Sequence, residues 1–114
     1  MNKREVGAYY EDVAKRYLTE HGVTILESNF RCKMGEIDLI GRQGDVLVFF
    51  EVKYRTDDKF GYSLEAIDKK KQKKIINCAK YYLAFNKCDC YIRFDAVGID
   101  MDRIEWIKNA FDMS

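Results

Sequence analysis

The run DVLVFFEVKYR, Asp45 to Arg55, constrains the fold more than any other stretch of the chain. Val46 to Phe50 are aliphatic or aromatic at every position, which reads as a strand buried on both faces. The run then continues into Glu51, Lys53 and Arg55. Side chains alternate along a strand, so these three charges share one face while Val52 and Tyr54 keep the other apolar. A buried strand that ends in a carboxylate, an ammonium and a guanidinium on one side needs a functional reason.

The rest of the chain reads as one unit, residues 1–114, with no linker and no repeat. Val6, Tyr9, Tyr10, Val13, Ala14, Tyr17 and Leu18 recur at helical spacing between about Lys3 and Glu20, and Gly22 closes that helix. VTILESNFR and GEIDLIG read as strands ahead of the buried one, with RQGD as the turn into it. Ser63 has the look of a helix N-cap, with Tyr62 and Ile67 placed as a hydrophobic staple. The stripe of that helix is Leu64, Ile67, Ile75, Cys78, Ala79, Tyr82 and Leu83. YIRFDAVGI and RIEWI follow as strands. The expected fold is α/β in the order αβββαββ, a central mixed sheet flanked by helices. Tyr9, Tyr10, Tyr17, Phe94 and Trp106 are expected in the core, and Arg93 and Asp95 are expected to pair.

Composition removes several function classes. No apolar run approaches the roughly 20 residues of a membrane helix, and the N-terminus lacks an apolar signal region, so a cytoplasmic place without membrane contact is expected. A net charge of +1 excludes binding of polyanions by bulk charge alone. The basic residues are nevertheless clustered, with Lys69, Lys70, Lys71, Lys73, Lys74 and Lys80 within twelve positions. Such a run is either a solvated helix face or a phosphate track. Helical spacing places Lys70, Lys73 and Lys74 on one side and Lys71 along the apolar stripe. The four cysteines, Cys32, Cys78, Cys88 and Cys90, are expected as free thiols in a reducing compartment, with zinc as the weaker reading.

GEIDLI puts Glu36, Asp38 and Ile40 on one face and Ile37 and Leu39 on the other. A turn of two or four residues at RQGD sets Asp38 opposite or diagonal to Glu51, with Glu36 and Lys53 nearby. Facing carboxylates repel and are costly to desolvate. They become sensible around a divalent cation, and oxygen ligands suit a hard ion such as magnesium. Lys53 beside such an ion can orient an attacking water or neutralise charge on a phosphoryl transition state. Alternatively, it forms an ion pair with Glu51 or Glu36.

These residues carry a resemblance. GEIDLI followed by EVK, with Asp38 and Glu51 thirteen residues apart, resembles the D…(D/E)-x-K signature of restriction-endonuclease-like nucleases. The ordered set GAYYEDVAKRYL, Asn29–Phe30–Arg31, GEIDLI, FFEVKYR, KKKQKKI, RFDAV and NAF is similar to the YraN-like family of small bacterial proteins, described as endonucleases. That resemblance covers nearly the whole chain. It departs from the superfamily at Ile37, where many members carry proline.

The resemblance implies a magnesium- or manganese-dependent nuclease, with one or two ions, hydrolysing phosphodiesters in DNA rather than RNA, including branched or repair intermediates. The alternative is a nucleic-acid-binding module that keeps the nuclease fold without cutting. Asp38 and Glu51 match the metal-binding carboxylates, with the Val52 backbone carbonyl beside them, and Lys53 matches the catalytic lysine. Glu11 matches the acid that archaeal Holliday-junction resolvases carry on their first helix, against the plainer reading of an exposed helix glutamate. Its stripe of Gly7, Glu11, Ala14 and Leu18 sets it at the edge of the buried face. Arg31, Arg55, Lys70, Lys71, Lys73 and Lys74 are candidates for phosphate contacts, and Glu36 for a supporting group or extra ligand. A homodimer is left open.

Overall fold

The computed structural model describes residues 2–55, 67–100 and 103–113. Helix α1 spans Lys3–Glu20, strands β1, β2 and β3 span Thr24–Cys32, Gly35–Gln43 and Val46–Arg55, helix α2 spans Lys69–Phe85, and strands β4 and β5 span Tyr91–Asp100 and Arg103–Phe111. The strands form a single sheet in the order β1-β2-β3-β4-β5. Every pair is antiparallel except β3–β4, which is parallel and joined across α2. The expected αβββαββ order and mixed sheet are both present.

The buried run lies in the middle of that sheet, and its alternation supplies both cores. Leu47 and Phe49 join Ile40, Phe94 and Ala96 under Ile75, Cys78, Ala79 and Tyr82 of α2. Val48 and Phe50 join Leu39, Val97 and Ile99 under Ala14 and Leu18 of α1. One strand therefore feeds two layers, which is why it carries no polar residue before Glu51. Truncating Phe49 or Phe50 to alanine removes a large share of one layer, at a cost of about 3–5 kcal/mol.

Four local features depart from the sequence reading. The N-cap of α2 is Asp68, extended in backbone and accepting from the Lys71 amide at 2.7 Å, so the helix begins at Lys69; Ser63 lies outside the described residues. Ile37 packs with Ile40 on the α2 side whereas Leu39 packs on the α1 side, so strict alternation breaks at Asp38. Tyr9 is exposed rather than buried, because α1 turns that side to solvent. Cys32 and Cys78 are free, but Cys88 and Cys90 are joined as a disulfide between α2 and β4. Their Cα atoms are 5.3 Å apart, within the span a disulfide bridges, although only one residue separates them.

Arg93 and Asp95 pair as expected, and the pairing is more elaborate than a simple bridge. Asp95 is fully buried and accepts from Arg93 Nε and Nη2, from Trp106 Nε1 and from the Asn109 amide, all at 2.8–2.9 Å. Asn109 has φ +55 and the β4–β5 register shifts between Phe94 and Ala96. The carboxylate thus holds an irregularity in β5 and is itself completely satisfied.

Candidate active site

The turn between β2 and β3 sets the geometry. Gln43 pairs with Val46 and leaves only Gly44 and Asp45 in the loop, with Gly44 at φ +60. A side chain at that position would strain the turn. The register then runs through Ile40–Phe49 to Leu39–Phe50, the last regular rung. Continuing it by one residue sets Asp38 opposite Glu51. The two carboxyls lie near enough for the charge of Glu51 to act on Asp38.

The ladder stops there for a local reason. The Val52 amide donates to Asp38 Oδ2 at 2.8 Å, so a side chain takes the donor that points towards β2. On the other side, Asn29 lies between the Ser28–Leu39 and Phe30–Ile37 rungs, directly across from Asp38, with φ +53. Asparagine is among the few side chains that accept this conformation readily. Both neighbours of β2 are therefore irregular at Asp38: the β2–β3 ladder ends there, while β1 stays paired through Cys32–Gly35.

Glu11 enters from the opposite layer. Asn29 Nδ2 donates to Glu11 Oε1 at 2.8 Å, tying α1 to the same irregular stretch. A cleft of about 550 Å³ results, and Glu11, Asp38 and Val52 share its wall with Lys3, Arg4 and Arg31. Burial raises the Glu11 carboxyl above its ordinary range, with the Asn29 hydrogen bond and Lys15 working against that rise. Gly7 lines the cleft as well, while Ala14 and Leu18 continue the same stripe into the core.

The electrostatics of Asp38 and Glu51 differ sharply from those of Asp95. Burial, followed by the charge of Glu51, pushes the Asp38 carboxyl up to about 8, against the single amide of Val52 that favours its ionised form. Glu51 is 6% exposed, and the Lys71 ammonium lies 2.6 Å from its Oε1. Burial alone depresses the Lys71 amine; the Glu51 carboxylate, with Asp38 and Asp68 behind it, reverses this and leaves its pKa above the ordinary lysine value. Lys71, half exposed on α2, thus answers the charge of both acids, Glu51 directly and Asp38 from behind it. Asp95 has four donors to itself.

The other residues singled out from the sequence fall as follows. Lys53 is half-buried on β3 and makes no ion pair with another described residue, because Glu51 is taken by Lys71 and Glu36 pairs with Arg31 at 3.6 Å. The ion-pair alternative for Lys53 is not realised. Glu36 and Arg31 are both exposed and border a second cleft together with Lys74. Arg31 lines both clefts. Lys73 borders a third cleft with Asp112 and Met113, away from the one that Lys74 borders, and Lys70 is exposed. The Arg55 backbone pairs with Asp100, and its side chain lies outside the described residues.

Two roles and one residue at this site escaped sequence reasoning. Asn29 was noted only within a motif, yet it ties Glu11 to β1. Lys71 was placed on the stripe as a phosphate candidate, yet it pairs with Glu51. Tyr54 was read only as apolar, yet it lines the cleft and stacks on Tyr10.

The donors can be tested against a metal ion. Among the described residues no group of three or more His, Cys, Asp or Glu is gathered closely enough to hold one. The candidate set is therefore Asp38 and Glu51 alone, with Glu11 across the cleft and outside that pair. Two hard oxygen donors set face to face suit a magnesium-like ion, which takes one or two carboxylates and fills its shell with water and phosphate.

Comparison with known proteins places the whole chain. The sequence profile described as "Uncharacterised protein family UPF0102" matches residues 10–99, which include Glu11, Asp38, Glu51, Lys53 and Lys71. A UPF0102 protein of Lachnoclostridium phytofermentans is 47% identical over 114 residues, covering 98% of this chain and 97% of its own. One from Fusobacterium nucleatum is 44% identical over 110 residues, covering 96% and 92%. One from Nitrosomonas europaea is 46% identical over 111 residues, covering 95% and 94%.

Proposed function

The chain belongs to the uncharacterised protein family UPF0102, and from that premise we propose that it is a metal-dependent nuclease acting on phosphodiester bonds in DNA. The observation that carries this reading is the Asp38–Glu51 pair, two acids set face to face where the β2–β3 ladder ends, Asp38 held by the Val52 amide and Glu51 by Lys71. Asp95 is held by donors of its own chain, whereas these two acids face each other, an arrangement that a bound ion would relieve. The resemblance of GEIDLI…EVK to the nuclease signature points the same way.

In this reading Asp38 and Glu51 would hold magnesium or manganese, which would supply charge stabilisation to the phosphoryl group and lower the pKa of an attacking water. Binding requires both acids to be ionised, so the proton on Asp38 must leave. The Val52 amide fixes Asp38 in position. On an extended strand the carbonyl of the same residue leaves on the same side as its amide, which keeps Val52 available as a backbone ligand. Lys53 supplies the cation beside the reacting phosphate, where it either orients water or neutralises developing charge. Lys71 is the counter-charge to Glu51 in the metal-free protein. Glu11, held by Asn29, accepts hydrogen bonds from water or nucleotide entering the cleft. Lys3, Arg4, Arg31 and Lys74 offer phosphate contacts around it.

A cleavage panel tests the reading. Linear duplex, single-stranded, flapped and four-way-junction DNA, with matching RNA, are incubated with magnesium, manganese or EDTA. We expect metal-dependent cutting of at least one DNA substrate, abolished by Asp38→Asn. Tight binding without cutting by the parent across the whole panel would instead favour the binding-module alternative.

A further inference from the structure

The cleft beside Asp38 has a wall that catalysis by the acids does not require. Tyr54 follows Lys53 on β3 and remains 39% exposed although it lines the cleft. One face of its ring is covered by Tyr10 of α1, with ring centroids 4.5 Å apart and planes 11° from parallel. Tyr9 in turn packs edge-on against Tyr10. The Tyr54 ring is thereby held rigidly from behind, and its exposed surface borders the opening. Lys3, Arg4 and Arg31 stand on the same walls, and neither Lys3 nor Arg4 is engaged in an ion pair with a described residue. A braced aromatic face and free cations around one cleft form the pairing used to hold single-stranded nucleic acid, with stacking for the base and charge for the phosphate.

Size narrows the ligand. About 550 Å³ lies in the range of pockets that enclose one drug-sized molecule, and a nucleotide is of that scale. An intact duplex keeps its bases stacked inside and presents only its backbone to such a pocket. We propose that this cleft receives one unpaired nucleotide, its base against Tyr54 and its phosphate on Lys3, Arg4 and Arg31. The substrate class is then DNA with an unpaired segment next to the scissile bond: a single strand, a flap or an opened junction. This rests on the nuclease reading only for the ligand being nucleic acid.

Binding is measured by fluorescence of 2-aminopurine oligonucleotides in EDTA, where cutting is suppressed. The probes are a single strand, a duplex with an unpaired flap, and a blunt duplex. Tyr54→Ala is expected to weaken binding of the first two by about tenfold to a hundredfold, the scale of one lost base–aromatic stack. Blunt duplex binding should change by less than about twofold, a difference too small to be one lost stack. Tyr54→Phe keeps the ring and should restore affinity for the unpaired probes. An equal effect on all three probes, or none, overturns the proposal. Should Tyr54→Ala fail to fold without its Tyr10 partner, the double variant Lys3→Gln, Arg4→Gln carries the test. Its slope of log affinity against log salt on the single strand should be shallower by about 1.4, two contacts at roughly 0.7 each. An unchanged slope overturns the proposal. Cutting is scored separately: a parent that cuts nothing but shows the Tyr54 effect keeps this inference and loses the nuclease. A parent that cuts blunt duplex, with no Tyr54 effect on binding, does the reverse.

Discussion

Lys71 on α2 and Glu51 on β3 meet at 2.6 Å, so the buried acid near the end of the central strand has a protein cation against it. Lys71 is half exposed, and the pair therefore owes less to raw Coulomb energy than to the burial of its acidic partner. Removing the cation strands Glu51 beside Asp38. Lys71→Met should lower the melting temperature of the metal-free protein at pH 8 by several degrees. Millimolar magnesium should recover most of that loss. Calorimetric scans with and without metal measure both, and an unchanged melting temperature without metal would mean that Lys71 contributes nothing to holding the acids together.

Asp38 gives the fold a pH dependence of defined sign. Its carboxyl titrates at about 8 in the folded chain against about 3.9 when unfolded. Between those values the folded protein holds a proton that the unfolded chain has lost, so stability falls as pH rises through the window. The slope is at most about 1.4 kcal/mol per pH unit and vanishes above and below. Asp38→Asn does not titrate. Its stability should therefore gain on the parent steadily from about pH 4 to about pH 8. Denaturant melts across that range check it, and parallel curves for the two proteins would rule out a raised Asp38.

Lys53 separates chemistry from packing. With no ion pair to lose among the described residues, Lys53→Ala should change melting temperature little. If Lys53 acts at the phosphate, cutting should slow by at least about a hundredfold while substrate affinity stays close to that of the parent, the usual scale for losing a positioned acid–base or charge-stabilising group. Single-turnover rates and binding curves on the same preparation give both numbers. A rate within about threefold of the parent would leave Lys53 without a catalytic role, since that is far below this scale.

Much of this site was legible because it depends on short-range rules. The two-residue turn at Gly44 and Asp45, read from RQGD, is enough to bring Asp38 opposite Glu51. The stripe through Ala14 and Leu18 likewise carries Glu11 to the cleft, since helical spacing needs no tertiary information. What escaped depends on where elements end and on what crosses between them. Ser63 and Asp68 are both good caps, and choosing between them decides where α2 begins; that Lys71 on its stripe meets Glu51 depends on how α2 docks across β3. Alternation predicts Ile37 beside Leu39, but the irregularities at Asn29 and Asp38 turn Ile37 to the other layer. Tyr10 and Tyr54 sit on different elements, and periodicity in either one treats them as ordinary core. The cysteines were judged by compartment, a property of surroundings, whereas the Cys88–Cys90 bridge reflects only the proximity of two residues in one loop.

The central claim is that Asp38 and Glu51 together hold a divalent ion, and titration calorimetry with manganese tests it most directly. The parent should bind with a clear heat signal and release protons at pH 7, because the Asp38 proton must leave on binding. Asp38→Asn and Glu51→Gln should each weaken binding strongly, while both remain folded and the metal-free Asp38→Asn protein melts no lower than the parent. Equal binding by the parent and both variants would contradict the account and move any metal site elsewhere in the chain.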